Sequence, residues 1–247
     1  MINEPLIRRT TLFGAWCGVF YCGLLLVGWW VVAGFFPLHR PSAGPEEAAA
    51  FFRENPNSIR TGLVLVMWGG AVFLPFAAAL TDYVRGVEGR DGPLTRIMQM
   101  STYSNAFMTF LPPMFWLVAA YRADQRPAEL TWLLNDLGWL WFLGAIAVVM
   151  PMFIAHAVAV LNDRREHPVF PRWMAWLSIL IFCAFIPDQL MFFVKSGPFA
   201  WNGLFSFWIP LTLFCNWFLL VFWFVRRDVL RARAAGTAPV TELVITQ

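Results

Sequence analysis

Residues 62–83 read GLVLVMWGGAVFLPFAAALTDY, a run that meets no charged side chain before Asp82. At about 1.5 Å of helical rise per residue, a stretch of this length crosses a hydrocarbon core of about 30 Å. Five other stretches share its character: Leu12–Phe36, Tyr103–Tyr121, Trp132–Leu161, Trp173–Val194 and Phe199–Val225. The reading is an all-α fold, a polytopic transmembrane helix bundle of six spans. The fourth stretch is overlong, so it is expected to tilt or to project beyond the bilayer. Connections are short, which leaves one bundle over residues 1–233 and no separate soluble domain. After Arg233 hydrophobicity and periodicity fade, and disorder is expected over residues 234–247.

Hydrophobic residues make up 59% of the chain and charged residues 13%, about half the charged share of soluble domains. The few cations fix an orientation. With the N-terminus in the cytoplasm, the inner segments hold twelve of the 18 cations, among them Arg8, Arg9, Arg164, Arg165, Arg226 and Arg227. Arg40, Arg53, Arg60, Arg122, Arg126 and Lys195 fall outside. The positive-inside rule then places both termini in the cytoplasm, in a bacterial inner membrane. No basic stripe suggests nucleic acid. Cys17, Cys22, Cys183 and Cys215 all lie inside spans without a C-x-x-C pair, and read as apolar packers.

The outer loop, residues 37–60, carries a short amphipathic helix. Gly44-Pro45-Glu46-Glu47 sets proline and two acids at a helix start, Ala48 to Glu54 continues it, and Asn57 or Ser58 can cap the second span. This helix is either a lid over the outer mouth or a spacer in the interface. Residues 84–100 and 162–168 read as solvated inner loops. Pro75, Pro112, Pro113, Pro151, Pro187 and Pro210 fall within spans. Each removes a backbone donor, and kinks in so many helices favour an internal cavity. Gly14 and Gly18 form a GxxxG pair, a sign of close helix packing.

Burying charge in hydrocarbon is costly, so polar residues inside spans are the candidates for function. Asp188 follows Pro187, about 9 Å inside the outer end at helical rise. It either serves as a general acid in an apolar pocket or pairs with Lys195, seven residues on. Asp136 either caps the fourth span with Asn135 or joins Asp188 in one outer vestibule with Gln189, Arg122 and Asn202. Trp139 and Trp208 would supply apolar walls there. His156 lies toward the inner end, about 30 Å from Asp136, with Asp82, Asn105 and Asn216 as candidate neighbours. His39 and His167 stand apart in loops, so no metal site is expected and no cofactor is named.

The runs Val169-Phe170-Pro171-Arg172-Trp173, Leu134-Asn135-Asp136-Leu137-Gly138-Trp139 and Lys195 to Gly203 resemble uncharacterised six-span membrane proteins of actinobacteria and proteobacteria. That resemblance covers the second half of the chain and implies no particular activity. The residues themselves point to an aromatic-lined pocket for an apolar lipid, isoprenoid or sterol-like molecule, with Asp188 and Asp136 available for acid–base chemistry. A proton- or ion-coupled transporter and a structural subunit in a homo- or hetero-oligomer are the other readings.

Overall fold

Packing in this chain follows its smallest side chains. The structure, a computed structural model, describes residues 4–235, and side chains over 5–233. The tail expected from 234 onward lies outside the described residues, apart from Ala234 and Ala235 at the end of the last helix. The helices are α1 (Glu4–Leu26), α2 (Pro45–Glu54), α3 (Pro56–Glu88), α4 (Pro93–Tyr121), α5 (Ala128–Gly144), α6 (Pro151–Asn162), α7 (Trp173–Ala184) and α8 (Ile209–Ala235). Among the described residues five stretches are long and apolar enough to cross a membrane: Pro5–Val32, Pro56–Glu88, Ala128–Asn162, Trp173–Phe192 and Leu204–Arg233. The 29-residue α4 is long enough, but Asn105, Pro112 and Pro113 dilute its apolar character. Phe13, Phe20, Trp68, Phe107, Trp176 and Trp223 are each more than half exposed, a display suited to contact with lipid rather than water.

Three prolines break helices and three ride within them. Pro75 stays inside α3, and Pro112 and Pro113 inside α4. The stretch from 132 to 161 is not one continuous α-helix. It breaks at a 3₁₀ turn, Ala145–Val148, before Pro151 restarts it as α6. Pro187 opens a second 3₁₀ turn, Pro187–Phe192, and a π turn, Leu204–Trp208, leads into α8 just before Pro210. A proline ring clashes with the preceding turn and supplies no donor, so tighter or wider turns take over at these points.

Helix ends are closed by side chains from neighbours. At the end carrying α2, the last carbonyls of α4 have no partner in their own helix. Arg60 donates to the Ala120 and Tyr121 carbonyls, Arg53 to Ala123 and Arg126, and Arg126 to Val118. These cations also meet the negative end of the helix dipole. Neither Asn57 nor Ser58 caps α3, contrary to expectation. Pro56 already occupies the first helical position, and the Ser58 hydroxyl donates to the Val32 carbonyl instead. At the opposite end the expected loop over 84–100 shrinks to a turn, Gly89–Gly92. Gly89 takes φ +78°, and the Glu88 carboxylate accepts from the Leu94 and Thr95 amides. The turn after α6 is likewise not fully solvated. Asp163 is buried beneath Arg165, at 2.6 Å, and accepts from the Tyr83 hydroxyl.

The interior holds two apolar clusters. One, at the α2 end, joins Trp29, Phe35, Phe52, Trp116, Trp139 and Phe207; the other, toward the chain termini, joins Phe73, Phe76, Phe153, Phe170 and Trp217. Phe52 is fully buried, so α2 lies against the bundle. Glycines bring the backbones together. A Cβ on Gly14 would stand 2.6 Å from the Pro75 carbonyl, and one on Gly18 would meet the Phe76 ring. This is the α1–α3 contact that the GxxxG pair anticipates. Where α1 runs into a π turn of its own, Val27–Val32, a Cβ on Gly62 would lie 2.2 Å from the Gly28 carbonyl and 2.4 Å from the Ala33 amide.

Those neighbours are backbone atoms and cannot rotate aside. Gly62→Ala is expected to cost about 1–3 kcal/mol through overpacking and to lower the melting temperature of the detergent-solubilised protein. Gly23→Ala, whose Cβ meets nothing within 4 Å, is the matched control and should leave the melting temperature unchanged or slightly raised.

Candidate functional site

The break at Pro187 positions the site. Without an N–H at 187, the helical ladder ends: Phe185 still donates to Ile181, Ile186 reaches back only to Cys183, and the 3₁₀ turn follows. Asp188, second in that turn, is carried to the interior with no exposed surface. Neither of its carboxylate oxygens has a hydrogen-bond partner in the protein. The pairing with Lys195 that their spacing suggested does not form. Lys195 is exposed.

Asp188 lines a cavity of about 50 Å³ together with Tyr21 of α1, Asn105 and Thr109 of α4, and Ser206 of the π turn. Phe142, Phe185, Phe207 and Phe214 supply ring walls. The polar groups opposite Asp188 form a chain. Thr109 Oγ1 donates to the Asn105 carbonyl at 2.9 Å, so at 3.1 Å it accepts from the Tyr21 hydroxyl. Tyr21 in turn accepts from Asn105 Nδ2 at 3.4 Å. Ser206 donates to the Phe199 carbonyl at 2.8 Å. The hydroxyl hydrogens that line the cavity are therefore all committed within the protein.

Of the other residues expected to act with Asp188, none lines this cavity. Asp136 lies two turns inside α5, which starts at Ala128, so neither it nor Asn135 caps that helix. Asp136 is half-buried, with Oδ1 unpartnered. Gln189 and Asn202 are half-buried, and Arg122 is exposed beside the Tyr121 ring. Trp139 is fully buried and stacks on Trp201 with centroids 5.8 Å apart and planes 3° from parallel. Trp208 packs against Trp30 and Phe36. Tyr21, Thr109 and Ser206 were not legible as site residues. One faint signal existed: Asn105 and Thr109 stand four apart, on one face of α4.

His156 is not joined to Asp82, Asn105 or Asn216. Its Nδ1 meets the Ser178 hydroxyl at 2.9 Å, while Trp217 Nε1 donates to the same oxygen at 2.9 Å and Ser178 donates to the Met174 carbonyl. With the serine hydrogen spent on Met174, His156 is the donor at Nδ1. Asp82 instead pairs with Arg85, and Asn216 bonds within its own helix. Among the described residues no three His, Cys, Asp or Glu side chains converge as metal ligands.

His39 tops the aromatic cluster at the α2 end. Its ring stacks on Phe35, meets Phe51 edge-on at 4.1 Å, and contacts Asn135 Oδ1 at 3.5 Å. Trp201 Nε1 donates to its carbonyl at 2.9 Å. Burial among these rings lowers its pKa from 6.5 to about 4, against the weaker opposing effect of Asn135.

Compared with known proteins, the chain matches no family model, no curated protein and no solved structure.

A histidine held neutral in the folded state binds its proton more readily once unfolded. Its contribution is complete above pH 6.5 and is lost as pH falls from there to about 4. The melting temperature should drop across that window, and His39→Phe should flatten the drop while retaining the ring packing. An unchanged slope in the variant would assign the acid sensitivity elsewhere.

Proposed function

We propose that this chain is a six-span protein of a bacterial inner membrane, with α4 as the sixth crossing and both termini cytoplasmic, and that it moves a small solute through its interior. An even number of crossings puts Glu4 of α1 and the end of α8 on one side, and the arginine distribution assigns that side to the cytoplasm. The α2 end, with its arginine-closed helix termini and aromatic cluster, then faces outward. Asp188 is the charge-binding centre of the proton- or ion-coupled transport reading.

One observation carries this. Asp188 is an acid with no exposed surface and no protein partner, facing an internal cavity in a membrane-spanning bundle. Intramembrane carboxylates are expensive, and where they persist they mark ion or proton pathways. The prenyl or sterol pocket has less support, because ligand sites for such molecules occupy about 300–1,000 Å³ and this cavity measures about 50 Å³. A larger space, about 600 Å³, lies between α3 and α4 among Trp68, Leu74, Phe107 and Phe110. Those side chains are exposed, so the groove suits an acyl chain of the surrounding bilayer, and it contains no acid for chemistry.

The test is gradient dissipation in proteoliposomes. Wild type should dissipate an imposed proton or monovalent-cation gradient, and Asp188→Asn, incorporated to the same level, should be slower by at least about tenfold, the factor that corresponds to 1.4 kcal/mol. Rates in wild type equal to those of protein-free vesicles, for both gradients, would refute transport.

A further inference from the structure

Resting on Asp188 as the interior charge centre, we propose that the cavity binds one monovalent cation of alkali-ion or ammonium size, directly through the Asp188 carboxylate and the neutral oxygens that face it. The class of ligand follows from counting hydrogens. Tyr21 donates to Thr109, Thr109 to the Asn105 carbonyl, and Ser206 to the Phe199 carbonyl. One hydrogen of Asn105 Nδ2 goes to Tyr21. What remains is mainly acceptors: two carboxylate oxygens, Asn105 Oδ1, and lone pairs on Tyr21 and Ser206. No Arg, Lys or His lines the cavity. A space so rich in acceptors and so poor in donors repels anions and carbonyl ligands, and it attracts a cation.

Charge and size narrow the class. The cavity contains a single ionisable acid, which balances a single positive charge. A divalent ion such as Ca²⁺ usually gathers several carboxylates. At about 50 Å³, where one water needs roughly 10–15 Å³ of such space, there is room for a small ion with a few waters. A long polyamine or quaternary ammonium ligand does not fit. Phe142, Phe185, Phe207 and Phe214 supply apolar walls, and an aromatic ring attracts a cation placed over its face. Oxygen ligands surrounded by rings suit Na⁺, K⁺ and NH₄⁺ in kind, and the experiment separates them.

The purified full chain in mild detergent is titrated with NaCl, KCl and NH₄Cl, ionic strength being held with N-methylglucamine chloride, and the thermal midpoint is read. At least one of the three should raise the midpoint saturably. Asp188→Asn should weaken that effect at least tenfold, Asn105→Ala should weaken it in the same direction, and Asp188→Glu should restore part of it. Because the unpaired buried charge is costly while the site is empty, Asp188→Asn should melt at or above wild type without added cation. If it does not fold, Asn105→Ala carries the same comparison. Two outcomes overturn the inference: an equal response in wild type and the variants, which puts the ion elsewhere, or no response to any of the three cations. If the second occurs while proteoliposomes still show Asp188-dependent proton flux, the transport reading stands and the site takes a proton. If that flux is absent as well, both fall.

Discussion

A backbone carbonyl inside hydrocarbon has no water to turn to, and the structure is organised around meeting that requirement. Within helices the ladder does so. At helix ends and in connecting segments the carbonyls are met from other elements: Arg60 and Arg53 at the end of α4, Ser58 at Val32, Trp201 at His39 and Ser206 at Phe199. Each of these bonds also ties one part of the fold to another. The requirement that closes the helix ends therefore fixes how α2, the residue 33–44 segment and the π turn lie on the bundle.

Between these ties the helices approach by shape. The apolar effect that compacts a soluble core gives little preference between a neighbouring helix and a lipid tail, so close packing has to discriminate. Gly14, Gly18, Gly28 and Gly62 let α1 and its π turn lie against α3, and Gly138 accepts the face of Trp116. Two aromatic layers fill the remaining volume, one near each end. The Asp188 cavity borders both: Leu25, Leu143 and Phe207 of one cluster and Tyr21, Ile146, Phe185 and Phe214 of the other line it.

Length and hydropathy were enough to read the class of fold, because a 22-residue run such as 62–83 has few alternatives. The helix between residues 37 and 60 was legible to the residue, since Gly44-Pro45-Glu46-Glu47 and Asn55-Pro56 mark its ends chemically. What failed was inference from position alone. Asn135 and Asp136 resemble a cap only if α5 begins beside them, yet it begins at Ala128. Asp188 and Lys195 share a helix face only if the helix continues, and Pro187 turns it into a 3₁₀ segment. Tyr21, Thr109 and Ser206 come from three separate elements, and no spacing along the chain reports that they meet. Asp188 was legible because a charge in an apolar run is costly wherever the chain goes.

That cost is the reason the missing partner matters. Asp163 is buried as well, but Arg165 and Tyr83 satisfy it, and it reads as a structural clamp. Asn105 is buried and bonded to Tyr21; Ser178 is buried with three neighbours. Other side chains, Trp139, His156 and Asp136 among them, leave one buried polar atom without a partner, whereas Asp188 leaves both carboxylate oxygens so. Asp188 shares its cavity with hydroxyls whose hydrogens go to other acceptors, on Thr109, Asn105 and Phe199. Had Tyr21 or Ser206 donated to the carboxylate, the acid would be a packing element like Asp163. Oriented as they are, they leave a negative charge and a set of lone pairs around one small space, an arrangement that is costly empty and favourable with a positive charge inside.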